Sequence, residues 1–174
     1  LFMNTKRSMT INCRGNLIDF TKPKIMGILN LTPDSFFDGG NFNSIDHATK
    51  QCERMILEGA DFIDIGAVSS KPGANQVKEN EELNRLLPVL EKLITEFPEM
   101  FFSIDTFRSI VASEALELGA SIINDISAGG FDSEMLAVVG RHKAPYIAMH
   151  MQGKPSDMQL NPQYRNLMEE LIFF

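Results

Sequence analysis

The sequence predicts an α/β fold built on a parallel sheet, and three observations carry that prediction. Five short apolar runs recur along the chain: "KIMGIL" (24–29), "DFIDIG" (61–66), "FFSID" (101–105), "SIIND" (121–125) and "PYIAMH" (145–150). Segments with helical spacing of apolar residues separate them, which is the alternation of βαβ units. The runs are apolar nearly throughout rather than alternating, as strands are when both faces of the sheet are covered.

The elements follow in order. "TINCRGNLIDF" (10–20) reads as two short strands around Gly15-Asn16, a hairpin signal. A hairpin ahead of a parallel sheet either plugs one end of a barrel or adds to an edge, and sequence leaves both open. The first run leads into "NLTPDSFFDGG" (30–40), too polar for core and too aromatic for an ordinary linker. Ile45, Ala48, Cys52, Met55 and Ile56 then make an apolar stripe at three-four spacing. The second run leads into the polar loop "SSKPGA" (69–74), where Pro72-Gly73 marks a turn. Leu83, Leu86, Leu87, Leu90 and Ile94 form a second stripe, and Ile110, Ala115 and Leu118 a third, shorter one. Gly59 and Gly119 stand just past their helices, where a left-handed cap is wanted.

The runs end in polar residues: Asn30, Asp64, Asp105, Asn124 with Asp125, and His150. In parallel α/β folds ligands bind beyond the carboxyl ends of the strands. Any one Asp or Asn there caps a turn as readily as it binds, but five such tips point to a common site. The oxygen-bearing metal candidates are Asn30, Asp38, Asp105, Asn124 and Asp125, a set suited to Mg²⁺ rather than zinc. His47, His142 and His150 lack the spacing of a metal pair; the first two read as surface residues, and His150 as a pocket or packing residue. The glycines of "GASIINDISAGG" (119–130) do not make GxGxxG directly after a strand, so no dinucleotide site is indicated. Loops 30–40 and 69–74 belong to neighbouring strand ends and carry glycine hinges, the material of a lid. They are expected to be mobile without ligand, with Phe36 and Phe37 supplying apolar cover.

Composition narrows the partners. The 174 residues, 44% apolar, suggest one domain with a real core. A net charge of −7 speaks against a broad nucleic-acid footprint. Cys13 and Cys52 form no CxxC pair, so neither a disulfide framework nor a zinc site is expected, and a reducing cytosol fits. No apolar run approaches the roughly 18 residues of a membrane span, and the opening residues lack the apolar stretch of a signal peptide. Neither nucleic acid nor membrane is expected as a partner.

Five segments carry a resemblance: "MGILNLTPDSFFDGG" (26–40), "GADFIDIGAVSSKPGA" (59–74), "SIDTF" (103–107), "INDIS" (123–127) and "AMHMQG" (148–153). In this order they resemble the signatures and strand ends of the dihydropteroate synthase family of folate biosynthesis. The likeness runs from about residue 10 onward, and an Asn-x-Thr-Pro-Asp-Ser-Phe run after a strand is rare by chance. It implies a (β/α)8 TIM barrel, of which the chain is about the first five β/α units plus an N-terminal hairpin. Residues 1–174 would form a single pterin-binding barrel domain, incomplete at its C-terminus.

The resemblance also implies an activity. The family joins 6-hydroxymethyl-7,8-dihydropterin diphosphate to p-aminobenzoate, releasing diphosphate, with Mg²⁺ as cofactor. It implies a cytoplasmic enzyme, a sulfonamide target, and a homodimer at full length. By matching position, Asn30 would hold Mg²⁺ and the diphosphate, while Asp105 and Asn124 would hydrogen-bond the pterin ring. Ser70 and Lys71 would touch the diphosphate or support the fold of the second loop, Phe36, Asp38 and Pro72 would shape the p-aminobenzoate site, and Met149 would pack on the pterin. Asp105, Asp38 and Lys71 are the candidate catalytic groups. Two departures stand out. Val68-Ser69-Ser70-Lys71 replaces the family's Glu-Ser-Thr-Arg, keeping a hydroxyl and a charge but losing the bidentate guanidinium fork. A barrel also takes about 250 residues and eight strands, and the family's later motifs are absent. A pterin-binding fragment without catalysis is therefore an alternative. So is a related pterin-binding methyltransferase domain, although the signature at 33–36 argues against it.

Overall fold

The computed structural model describes residues 9–31, 41–68 and 77–174, with the backbone alone at 41–44. β1 (Thr10–Cys13) and β2 (Asn16–Asp19) pair antiparallel, Cys13 opposite Asn16. The turn lies at Arg14-Gly15, one residue earlier than expected, with φ of 52° and 88°. Two left-handed residues in a two-residue loop match the twist of the flanking strands. Glycine adopts this freely. Arg14 is held there by its side chain, whose Nη1 donates to the Gly119 carbonyl at 2.8 Å.

Five parallel strands follow in sequential spatial order: β3 (Met26–Asn30), β4 (Phe62–Gly66), β5 (Phe101–Asp105), β6 (Ile122–Asp125) and β7 (Tyr146–Ala148). Four of the crossovers contain α1 (Asn41–Leu57), α2 (Glu79–Glu96), α3 (Ser109–Leu118) and α4 (Met135–His142), and α5 (Leu167–Ile172) comes after β7. These five strand positions lie close to those predicted. Because each strand is added beside the last, all four crossover helices pack on one face. Leu29, Ile63, Ile65, Phe102, Ile104 and Ile123 bury themselves there against Cys52, Leu86, Leu90, Leu93, Val111 and Met135. An unreversed strand order with helices on one side is the winding of a barrel, not of a doubly wound sheet. The fold is a partial (β/α)8 barrel with an added hairpin.

The first two helical stripes are borne out: Ala48 and Cys52 of α1, and Leu86 and Leu90 of α2, are fully buried. The third is borne out only at Ala115: Ile110 and Leu118 are exposed, and α3 turns Val111 and Ala112 inward beside Ala115. In this short, small-residue helix almost every face is apolar, so spacing alone does not choose the buried one. Gly59 and Gly119 have the positive φ expected of helix caps.

The sheet face away from the helices is layered. Its first layer is Met26, Phe62 and Phe101, with Ile122 beside them. Ile11, Cys13, Ile18 and Phe20 of the hairpin segment pack directly on these residues. Phe62 lies 6.2 Å from Phe20 and 6.0 Å from Phe101, ring centre to ring centre. The hairpin is therefore a plug under the amino ends of the strands, not an edge addition. It leaves the carboxyl ends open.

Candidate functional site

One row of residues crosses all five strands at their carboxyl ends. Asn30 pairs with Gly66, Gly66 with Asp105, Asp105 with Asn124, and Asn124 with Ile147. Alternate residues of a strand share a face, so this row stands on the plugged face, four residues and two side-chain layers above Met26, Phe62 and Phe101 in the first three strands. Gly66 is the gap in it. A Cβ at that position would lie 3.4 Å from Asn30 Oδ1 and equally 3.4 Å from Asp105 Oδ2. The two oxygens thus lean toward one space, which any side chain would fill.

Asp64 and Ser103 form a pair one layer below. Both are buried, and Asp64 is 5% exposed. Asn124 reaches over β5 to donate from Nδ2 to Asp64 Oδ2 at 3.0 Å. Asp64 Oδ1 and Ser103 Oγ have no hydrogen-bond partner among the described residues.

Above the row, Asp105, Asn124, Ile147, Met149, His150 and Leu171 border a cavity of about 570 Å³. That volume is in the range of small-molecule sites, as is a wall of apolar side chains with a few polar groups. His150 both lines the cavity and packs, with its ring 4.8 Å from Phe174 and its Nδ1 3.5 Å from the Tyr164 hydroxyl.

Electrostatics single out Asp105. Burial raises its pKa, and the charges of Asp64, Glu82 and Asp125 raise it further, from 3.8 to about 7. Glu82, on α2, is 2% exposed. It accepts from Thr106 Oγ1 at 2.7 Å and pairs with Arg108. Arg108 also donates to the Val77 carbonyl at 2.6 Å, and Arg85 donates to the Ala67 carbonyl at 3.2 Å. One helix therefore braces the exits of both β4 and β5.

The structure brings together Asn30, Asp105, Asn124 and Met149 of the expected site. It removes Asp125 from the metal candidates. Asp125 follows Asn124, so its side chain faces the helices, where it is fully buried. Its carboxylate accepts from Ser127 N at 2.7 Å, Ser127 Oγ at 2.8 Å, Gly129 N at 2.8 Å and Tyr146 Oη at 2.7 Å. Four donors make it a structural hub. The strand tip at β4 is Gly66, and Asp64 sits a layer deeper than expected. Asp64 was named with the strand tips, but its place beneath the row, in contact with Asn124, was not foreseen. Its signal was the Asp-x-Gly spacing, which puts the carboxylate directly beneath a glycine on one face. Phe36, Asp38, Ser70, Lys71 and Pro72, and with them the expected lid, lie outside the described residues.

Among the described residues no group of three or more His, Cys, Asp or Glu is placed to hold a metal. Asn30 Oδ1 and Asp105 Oδ2 around the Gly66 gap are hard oxygen donors. Such a set fits Mg²⁺, which binds few protein groups and keeps its waters; it does not fit zinc, which takes nitrogen and sulfur. No helix of the described residues is long and apolar enough to cross a membrane.

Known proteins carry the same pattern. Residues 26–174 match the family described as pterin binding enzyme. The mitochondrial folate synthesis bifunctional protein of Arabidopsis thaliana is 52% identical over 160 residues, which is 89% of this chain and 29% of that protein. A crystal structure of Yersinia pestis dihydropteroate synthase in a sulfonamide drug complex superposes with a TM-score of 0.84 at 42% identity, covering 95% of this chain and 60% of that one. Xanthomonas albilineans dihydropteroate synthase with 4-aminobenzoic acid superposes with a TM-score of 0.81 at 37% identity, covering 94% and 57%. The chain thus spans from under a third to three fifths of these relatives. With a family match that takes in every strand of the parallel sheet and every residue of the row, the chain belongs to the pterin binding enzyme family.

Proposed function

We propose that the protein is a dihydropteroate synthase, condensing 6-hydroxymethyl-7,8-dihydropterin diphosphate with p-aminobenzoate to give 7,8-dihydropteroate and diphosphate. The observation that supports this best is the pairing of Asp105 with Asn124 on the cavity wall, next to Asn30 across the Gly66 gap. Asp and Asn together can read the donors and acceptors of a pterin edge. Met149 and Ile147 give the ring an apolar surface.

The residues divide the work. The bond from the pterin methylene carbon to the diphosphate oxygen breaks, the arylamine nitrogen bonds to that carbon, and the nitrogen then loses one proton. An arylamine is already neutral at pH 7, so no strong base is required. Asp105 in its ionised form stabilises the positive charge that grows on the methylene. Asn30 would hold Mg²⁺, which when bound neutralises charge on the departing diphosphate. By matching position, Ser70 and Lys71 contact that diphosphate, and Phe36, Asp38 and Pro72 form the p-aminobenzoate site. At its natural length we expect a cytoplasmic homodimer; the buried, unpaired Cys13 and Cys52 suit a reducing compartment.

Diphosphate release, measured with both substrates and Mg²⁺ on the protein at its natural length, tests the reading. Release that requires the arylamine is the expected result. Asn30→Ala should weaken diphosphate binding, whereas Phe36→Ala should raise the KM for p-aminobenzoate far more than for the pterin. Tight pterin binding with no arylamine-dependent release would instead identify a pterin binder.

A further inference from the structure

We propose that Asp64 is a positioning residue: it sets which way round the Asn124 amide faces the ligand, and so makes the cavity select a ring edge with adjacent N–H donors. The ring class rests on the function proposed above; the orientation of the amide does not. Asp64 lies in register between Ile28 and Ser103, beneath the row that borders the cavity. Its carboxylate's only hydrogen bond among the described residues is the one from Asn124 Nδ2. The Asp64 oxygen accepts this bond, whereas an amide has one donating and one accepting arm. Asn124 must therefore turn its NH₂ down toward Asp64. The amide oxygen, on the opposite arm of a planar group, is directed away from Asp64.

Reversing the amide would set its oxygen against the carboxylate and strand Asp64 without a donor, a buried group left unsatisfied. The orientation is thus held by a residue that does not line the cavity. Asn124 and Asp105 do line it, in paired register. Above pH 7, where Asp105 is ionised, they present an amide oxygen and a carboxylate, two acceptors side by side. A ligand edge with an exocyclic amino group next to a ring N–H satisfies both. An otherwise identical ring with an oxo group in place of the amino group brings acceptor against acceptor.

The test compares two rings, the 2-amino-4-oxo pterin and its 2,4-dioxo analogue, by calorimetry on the protein at its natural length. Sites built around a ligand N–H reject the analogue lacking it by large factors, so the wild type should prefer the amino ring strongly. Asp64→Asn, nearly isosteric, lets Asn124 adopt either orientation. The preference should fall by about tenfold or more, mainly through better binding of the dioxo ring. General loosening of the pocket would weaken both rings together and leave the ratio unchanged. An unchanged ratio in Asp64→Asn overturns the proposal. A second measurement stands apart from ligand identity. In the unliganded protein, the Asn124 side-chain NH₂ should show slowed hydrogen exchange by NMR, and lose that protection in Asp64→Ala. If neither ring binds but the protection behaves so, the proposed function fails and the positioning role stands. Unprotected Asn124 in the wild type sinks the positioning role.

Discussion

Thr106 donates its hydroxyl hydrogen to Glu82 at 2.7 Å, tying the residue after Asp105 to the first turn of α2. Glu82 also pairs with Arg108, and it is almost wholly buried. Removing one partner of a buried pair leaves the other charge uncompensated. Glu82→Ala should therefore cost about 3–5 kcal/mol. Glu82→Gln, which keeps an acceptor for Thr106, should cost less. Urea denaturation of the protein at its natural length measures both. A loss under about 1 kcal/mol for Glu82→Ala, the scale of an exposed pair, would show that the network braces nothing.

Asp105 makes stability depend on pH in an unusual direction. Its folded pKa, about 7, lies above its ordinary value of 3.8. Between those values the folded state holds more protons than the unfolded state, so stability falls as pH rises from about 4 to 7. Above 7 the full penalty is present. Asp105→Asn removes it, and because the group borders an open cavity the gain at pH 8 should be roughly 1–3 kcal/mol. At pH 4 the two proteins should differ little. Denaturation midpoints at both pH values settle it; a variant equally stabilised at pH 4 and pH 8 would contradict the titration.

Asp125 is held by four donors on the helix side of the sheet. Tyr146→Phe removes one and should cost about 1–2 kcal/mol. Asp125→Ala orphans all four, including two backbone N–H groups, and should cost more than about 3 kcal/mol. Thermal unfolding of both variants checks the order. Equal losses would mean that Tyr146 alone carries the interaction.

Gly66 separates Asn30 from Asp105. A methyl group there meets both oxygens at ordinary contact distance, 3.4 Å, so Gly66→Ala should fold with stability within about 1 kcal/mol of wild type. The same methyl fills the space between the two oxygens. Pterin diphosphate affinity should drop by about tenfold or more, on the scale of one lost polar contact. Unchanged affinity measured by calorimetry would show that the gap is not part of the site.

The sequence by itself determined the five parallel strands, the first three helices and their alternation, because strand and helix periodicities are local properties of the chain. It also placed Asn30, Asp105 and Asn124 at the ends of their runs, where a parallel sheet forces convergence. Tertiary structure alone decided the rest. Asn124 and Asp125 are neighbours in sequence, yet one faces the cavity and the other the helices, because successive residues of a strand point to opposite faces. Which of the two faced the cavity depended on which face the helices covered. The hairpin was legible as a hairpin, but its role as a plug came from packing Ile11, Cys13, Ile18 and Phe20 onto Met26, Phe62, Phe101 and Ile122. Asp64 lay hidden for the same reason. Its partner Asn124 is sixty residues away, and only the side-by-side assembly of β4, β5 and β6 carries one over the strand between to meet the other.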